Sequence, residues 1–202
     1  MSLEDKKKWD TKYAEGAYET RTYPSVFLAE NLRAITESLN ENGANEPWRA
    51  LDLACGAGRN AHYLSTHGFT VDAIDISDVG LARAKETAPE TSTPINWQRR
   101  DLDETQINEF PAYHLIVMFR YVDVKLLTAV THQLSPGGFV ICEEHMQTEA
   151  EVVGPQSARF RVAPDELRAA LNHLDVLTHE ERIITEPNGE RAAVARIIAK
   201  RP

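Results

Sequence analysis

The amino-acid sequence predicts an α/β fold: a mostly parallel sheet, helices on both faces, and a closing antiparallel hairpin. Three observations predict it. Short β-rich runs alternate with helical stretches from Ala50 onward; an apolar run passes directly into Gly56-Ala57-Gly58; and Asn188-Gly189 separates two apolar runs near the end. At 202 residues, 42% hydrophobic and 26% charged, the chain suffices for one such sheet and its covering helices.

The elements follow in order. A short charged helix runs from Leu3 to about Tyr13, and the Gly- and Tyr-rich stretch GAYETRTYP after it carries no helical stripe, so it reads as a loop suited to act as a lid. From Ser25, the residues Leu28, Leu32, Ile35 and Leu39 recur at intervals of three and four, which places them on one face of a helix ending near Asn42-Gly43. Strands are expected at Ala50–Ala54, Phe69–Ile74, Ile95–Gln98, Leu115–Phe119 and Phe139–Cys142, with helices at Ala61–Thr66, Val79–Thr87 and Val124–Leu134. A helix starting at Pro164-Asp165 directs Leu167, Leu171 and Leu174 inward. The runs Val176–Thr185 and Ala192–Ala199 then flank the Asn-Gly turn as a hairpin.

Composition excludes several classes. Lys plus Arg total 22 against 31 Asp plus Glu, a net charge of -9, and a general phosphate-backbone binder carries the opposite sign; no nucleic-acid partner is expected. No apolar run approaches the ~18 to 20 residues that cross a bilayer. MSLEDKKKWD has no apolar core behind its charges, so neither membrane nor secretion is expected and the cytoplasm is the expected location. Cys55 and Cys142 lack C-x-x-C partners, His62 and His67 lack metal-pair spacing, and neither H-E-x-x-H nor G-x-S-x-G occurs. Reduced thiols and no metal are expected. Oligomeric state is not legible.

The segment RALDLACGAGRN, Arg49 to Asn60, is the most informative. Glycines between a strand and a helix permit positive φ and let a ligand approach the backbone without meeting a Cβ. Asp75 lies nineteen residues beyond Gly56, at the end of the second strand, the offset at which a carboxylate reaches adenosine ribose hydroxyls. Asp101, in QRRDLD, follows the third strand, and in an open α/β sheet these strand ends share the ligand-binding edge. Taken alone, Asp75 also suits a cap for the helix near Ser77, and Asp101 a solvated turn. Asp52, a carboxylate within an apolar strand, needs a partner: it either holds the glycine loop or touches the ligand. Ala54, Arg59, Asn60 and Ile76 flank these positions and complete the candidate set. With Ala61 the loop is formally G-x-G-x-x-A, so a nicotinamide-dependent reductase is a rival reading; nothing after Asp101 suggests the second mononucleotide half it needs.

Together, LDLACGAGRN, GFTVDAIDIS, RRDLD and SPGGFVICEEH resemble the ordered motif set of class I S-adenosylmethionine-dependent methyltransferases, from about Trp9 to Arg201. The D-L-A-C-G-x-G-R-N form, the W-x-x-x-Y element at Trp9 and Tyr13 and the compact closing hairpin are similar to the tellurite-resistance branch. The resemblance implies a Rossmann-like sheet of seven strands, six parallel and one antiparallel, in one methyltransferase domain. Residues 1–45 would form a cover, 46–145 a cofactor core and 146–202 the acceptor side. It implies S-adenosyl-L-methionine as cofactor and S-adenosyl-L-homocysteine as product. Gly56 and Gly58 would pass under the methionine part, Asp75 would bind the ribose diol, and Asp101 with the Leu102 backbone would face the adenine. Phe119 would line the methyl-donor pocket, while Trp9, Tyr13, Arg21 and Thr22 fold over the cofactor. One departure stands out: the branch carries a His-Arg pair where this chain has Ile183 and Ile184, although an arginine after the turn is retained as Arg191. That puts tellurite or selenite methylation in doubt.

Methyl transfer is an in-line displacement that needs alignment rather than a covalent nucleophile. A small-molecule acceptor is expected: a thiol, a chalcogen oxyanion or a carboxylate-bearing metabolite. Acceptor-side candidates are Arg120, Tyr121 and Asp123 after the fourth strand, Glu143, Glu144 and His145 after the fifth, and Arg159 and Arg161 in GPQSARFRVAP. Arg120, Arg159 and Arg161 are an expected anion-binding group, with ion pairing to local acids as the alternative. His145 is the candidate base, with a backbone-bonded strand-end histidine as the alternative. Arg120, Tyr121, Arg191 and His145 make up the candidate catalytic set. A non-catalytic S-adenosylmethionine-binding module is the remaining rival.

Overall fold

The computed structural model describes residues 3–41, 43, 47–90 and 93–202. Two helices, α1 (Leu3–Ala14) and α2 (Val26–Glu41), precede β1 (Trp48–Leu53). There follow α3 (Arg59–Ser65), β2 (Phe69–Asp75), α4 (Asp78–Glu86), β3 (Ile95–Arg99), β4 (Tyr113–Phe119), α5 (Val124–Val130), β5 (Leu134–His145), α6 (Glu166–Ala170), β6 (Asp175–Thr185) and β7 (Arg191–Lys200). Asn42 and the expected boundary between 45 and 46 lie outside the described residues.

The strands form one seven-stranded sheet, ordered β3-β2-β1-β4-β5-β7-β6. Strands β1 to β5 pair in parallel; β7 runs antiparallel to both β5 and β6, so β7 alone opposes the other six. Chain order reverses at β1, which lies between β2 and β4, and the strand ends at such a reversal open a crevice.

Alternation along the strands builds two cores. Ala50, Val117, Ile141 and Ile198 face α2, while Leu51, Met118, Cys142 and Ile197 face α5 and α6. Helix α2 contributes Phe27, Leu28, Leu32, Ile35 and Leu39, all buried, the stripe its sequence spacing predicts. At ~1.5 to 3 kcal/mol each, their burial supplies about 10 kcal/mol against the entropy of ordering the helix. Helix α1 has no fully buried residue and is held by polar contacts and by Tyr13 against Gly56 and Gly80.

One buried carboxylate stitches four strands. Asp72 accepts from Arg49 Nε at 3.0 Å and Nη2 at 2.8 Å, from Asn96 Nδ2 at 2.8 Å and from Tyr113 Oη at 2.9 Å. Three boundaries differ from expectation. Strand β5 starts at Leu134 because Gly138 tolerates close carbonyls: an added Cβ would meet Ser135 O at 2.9 Å. Helix α5 stops at Val130 and a 3-10 turn spans Thr131–Gln133. Helix α6 ends at Ala170, so Leu171 and Leu174 reach the core from the turn beyond it.

Candidate active site

Strand β1 runs into a turn in which Ala54, Gly56 and Gly58 have φ of 54°, 58° and 80°. Cys55 N–H donates to Ile74 C=O at 3.0 Å, and Gly58, the N-cap of α3, donates to Cys55 C=O at 3.0 Å. The two glycines do different work. A Cβ on Gly56 would strike Tyr13 Oη of the covering helix, whereas one on Gly58 would stand 2.5 Å from the Trp97 ring and 2.9 Å from Ala84 Cβ. Gly56 therefore lets Tyr13 of α1 close down onto the loop, and Gly58 allows α3 to pack.

The two carboxylates flanking the loop are also distinct. Asp75 Oδ2 accepts from Gly56 N–H and Oδ1 from Ser77 N–H, both at 2.8 Å. Burial pushes this carboxyl up, while these bonds and one from Ile76 N–H oppose the shift. Asp52, on the α2 face of β1, accepts from Ala61 N–H, but its Oδ2 is buried with no hydrogen-bond partner among the described residues. Burial pushes its carboxyl up to about 8, with Arg59 opposing and Asp75 adding to the shift. Asn60 Oδ1 accepts from Ser25 N–H at 2.8 Å, fixing the start of α2 to α3.

Helix α1 covers this loop. Asp10 Oδ1 accepts from Ser77 Oγ at 2.7 Å and Val79 N–H at 3.3 Å, and Lys6 bridges Asp10 and Asp78. Tyr13 lies against Gly56 and Gly80, its phenol pushed up by burial and by Asp75, with Trp9 at 6.2 Å between ring centroids. Arg83 Nη1 donates to Ala17 C=O at 3.0 Å, anchoring the next turn. Thr22 is exposed, and Arg21 lines a cavity beside the loop. Asp101 caps its own turn by accepting from Asp103 N–H at 3.0 Å. Ile76, Leu102 and Phe119 have buried side chains, so Ile76 and Leu102 can present only backbone to a ligand.

That cavity, of about 390 Å³, lies between the start of α2, Arg59 and the ends of β4, β5 and β6. Arg120, at φ 62°, is held there by four contacts. Its N–H donates to Glu143 C=O at 2.9 Å, its Nη2 to Glu143 Oε1 at 2.9 Å and Glu186 Oε1 at 2.5 Å, and its Nη1 meets His145 Nδ1 at 3.1 Å. Glu143 Oε2 accepts from Arg196 Nε at 2.6 Å. Arg59 makes no side-chain hydrogen bond or salt bridge among the described residues; burial, Arg21 and Arg120 depress its pKa, with Glu143 and Asp52 opposing.

Several candidates stand elsewhere than expected. His145 accepts from Arg120 and packs on Gly154, where a Cβ would lie 2.6 Å from its ring; burial and Arg120 lower its pKa to about 3, which makes it a weak base. Arg161 donates to the carbonyls of Pro155, Met146 and Val153, and Arg159 is exposed beside Phe160, so neither joins Arg120. Arg191 is exposed at the start of β7, outside the cavity lining, because the hairpin register turns it to solvent. Tyr121 is half-buried, its phenol pushed up by burial and by Asp123 and Asp101. The thiol of Cys55 is buried and pushed up, consistent with packing rather than reactivity. Asp165, His179 and Glu181 place potential ligand atoms within 4.8 Å of one another beside α6, and Glu181 Oε1 there already accepts from Asp165 N–H.

A family model described as "Tellurite resistance protein TehB" matches residues 30–196. The chain belongs to the TehB family. It is 27% identical over 156 residues to the "Probable S-adenosyl-L-methionine-dependent methyltransferase TehB" of Haemophilus influenzae, covering 72% of this chain and 54% of that protein. It is also 27% identical over 142 residues to "Hemagglutinin 1" of Eikenella corrodens, covering 68% of this chain and 47% of that one. The chain thus spans about half the length of the curated relatives it matches. The crystal structure of TehB from Haemophilus influenzae superposes with a TM-score of 0.66 at 23% identity, covering 83% of this chain and 62% of that one, which supports the fold.

Proposed function

We propose that this TehB-family chain is an S-adenosyl-L-methionine-dependent methyltransferase acting on a small molecule. The observation that carries the reading is the joint placement of Gly56 and Asp75: a glycine turn with no Cβ, closed over by Tyr13 and tied to a buried carboxylate that still has acceptor capacity. The residues fit the cofactor. Asp75 would accept the ribose hydroxyls, the Asp101 turn would flank the adenine, and the unpartnered Oδ2 of Asp52 gives the loop capacity for a cationic group. Tyr13 and Trp9 close over the loop and exclude water.

Bound S-adenosyl-L-methionine supplies an electrophilic methyl group on a sulfonium sulfur. The chain's own task is to align the acceptor, and such alignment lowers a barrier by ~7 to 11 kcal/mol. Among thiols, chalcogen oxyanions and carboxylates, acceptors that arrive already charged suit this site best, because His145 is held away from the base role. Ile183 and Ile184 line the cavity in place of the polar pair of the tellurite-resistance branch, which argues against tellurite and selenite.

The test is incubation of the pure chain with methyl-labelled S-adenosyl-L-methionine and a panel of thiols, carboxylates and oxyanions. Release of S-adenosyl-L-homocysteine in step with a labelled acceptor supports the reading. Binding without release across the panel shows a non-catalytic module instead.

A further inference from the structure

From the arginine-lined cavity we infer that the methyl acceptor is a small carboxylate with an apolar body, its charged end on Arg59 and Arg21 and its body against Ile183 and Ile184. The inference rests on the methyltransferase reading and names its substrate class. Five arginines and three glutamates line the cavity, but their charges are not interchangeable. Glu143 is committed to Arg120 and Arg196, Glu186 to Arg120, and Arg182 to Glu180. Among the described residues Arg59 has no such partner, and Arg21 stacks over Tyr18 at 5.1 Å without a side-chain hydrogen bond or salt bridge. Burial, Arg21 and Arg120 depress the pKa of Arg59 while Glu143 and Asp52 oppose them, so an anion entering between the arginines adds to a counter-charge that the nearby carboxylates supply only in part. Glu30, the remaining acid of the lining, is exposed.

The opposite wall is apolar. Val26 and Ile183 are exposed by 41% and 39%, and both border this cavity with Ile184 and Pro187. A bare inorganic oxyanion leaves that wall wet, whereas an organic acid covers it, at about 25 cal/mol for each Å² removed from water. Polarity also has a direction. Arg59 directly follows Gly58 of the glycine loop, while Ile183 and Ile184 lie on the closing hairpin, so the charged end would be the one nearer a cofactor held at that loop. In the transfer, a carboxylate oxygen lone pair forms the O–CH3 bond as the S–CH3 bond breaks, and its electron pair stays on sulfur. The products are a methyl ester and S-adenosyl-L-homocysteine, and no proton moves. This chemistry needs no general base, in keeping with the depressed basicity and Arg120-facing position of His145.

The experiment is calorimetry on the intact chain. S-adenosyl-L-homocysteine is titrated first; then hexanoate, acetate, hexanamide and inorganic phosphate are titrated separately into the loaded protein, with hexanoate methyl ester sought by mass spectrometry on adding S-adenosyl-L-methionine. Hexanoate should bind at least about tenfold tighter than each of the other three probes. Arg59→Gln should remove that preference, and Arg59→Lys should restore part of it, with melting temperatures confirming that both variants are folded. Equal binding of hexanamide, no gain over acetate or phosphate, an unaffected Arg59→Gln variant, or hexanoate binding without ester would each overturn the inference. If S-adenosyl-L-homocysteine itself fails to bind, the methyltransferase reading falls and this inference falls with it. If it binds and hexanoate shows no preference, only the acceptor class is wrong.

Discussion

Asp75 Oδ2 accepts the backbone N–H of Gly56 at 2.8 Å, so the end of β2 and the turn after β1 form one hydrogen-bonded unit. The second oxygen holds Ser77 N–H at the start of α4, and both donors lie in buried surroundings. Asp75→Ala leaves two buried N–H groups without their acceptor at ~1 to 3 kcal/mol each. Thermal unfolding should therefore fall by several degrees, at about 2 to 4 °C per kcal/mol for a chain of this size. Asp75→Asn, which keeps one acceptor oxygen, should lose roughly half as much. An unchanged melting temperature for the alanine variant contradicts this role.

Gly56 and Tyr13 should behave as a coupled pair. At φ 58° any side chain is disfavoured by about 1 to 2 kcal/mol. A Cβ there also strikes Tyr13 Oη. Gly56→Ala should therefore destabilise the wild-type chain more than a Tyr13→Ala background. In a double-mutant cycle read by denaturant unfolding, the coupling should exceed about 0.5 kcal/mol; strict additivity means that α1 does not sit on the loop.

Asp52 sets a pH dependence. Its folded pKa, pushed up to about 8, lies above the unfolded value, so its stabilising contribution is fully present below about pH 4 and is lost as pH rises through about 8. Asp52→Asn carries no proton to lose. The variant's melting temperature relative to wild type should rise steadily from about pH 5 to about pH 9. A difference independent of pH shows that Asp52 titrates normally.

Glu143 bridges Arg120 and Arg196, and Arg196 is 4% exposed. Removing one partner of a buried pair costs ~3 to 5 kcal/mol, so Glu143→Gln should lower the melting temperature by about 10 °C. Adding Arg196→Met should recover a good part of that loss, because it removes the charge left unpaired. No recovery shows that the arginine is solvated by other means.

The sheet was legible in the sequence because β1, β2, β4, β5 and β7 are buried on both faces over most of their length and read as apolar runs between glycine and proline punctuation. Gly56 and Asp75 were legible for a related reason: adjacent parallel strands bring a loop and a strand end together at a fixed offset. The cavity was not, because Arg21, Arg59, Arg120 and Ile184 come from four distant segments. Arg159 and Arg161 looked like partners of Arg120 only by proximity to the same edge, and Arg161's fork is consumed by backbone carbonyls. One signal was readable in principle. Arg196 interrupts the apolar run AAVARIIA, and a charge within a buried strand needs a counter-charge on its neighbour, which the β5–β7 register supplies as Glu143. The position of His145 depended on Arg120 adopting left-handed backbone, which no local pattern announces.

Titration of S-adenosyl-L-homocysteine into the pure intact chain, compared with Asp75→Asn, tests the central claim most directly. One saturable site per chain, weakened about tenfold or more in the variant, is the expected result. No binding at millimolar ligand, or equal affinity in the two proteins, contradicts it.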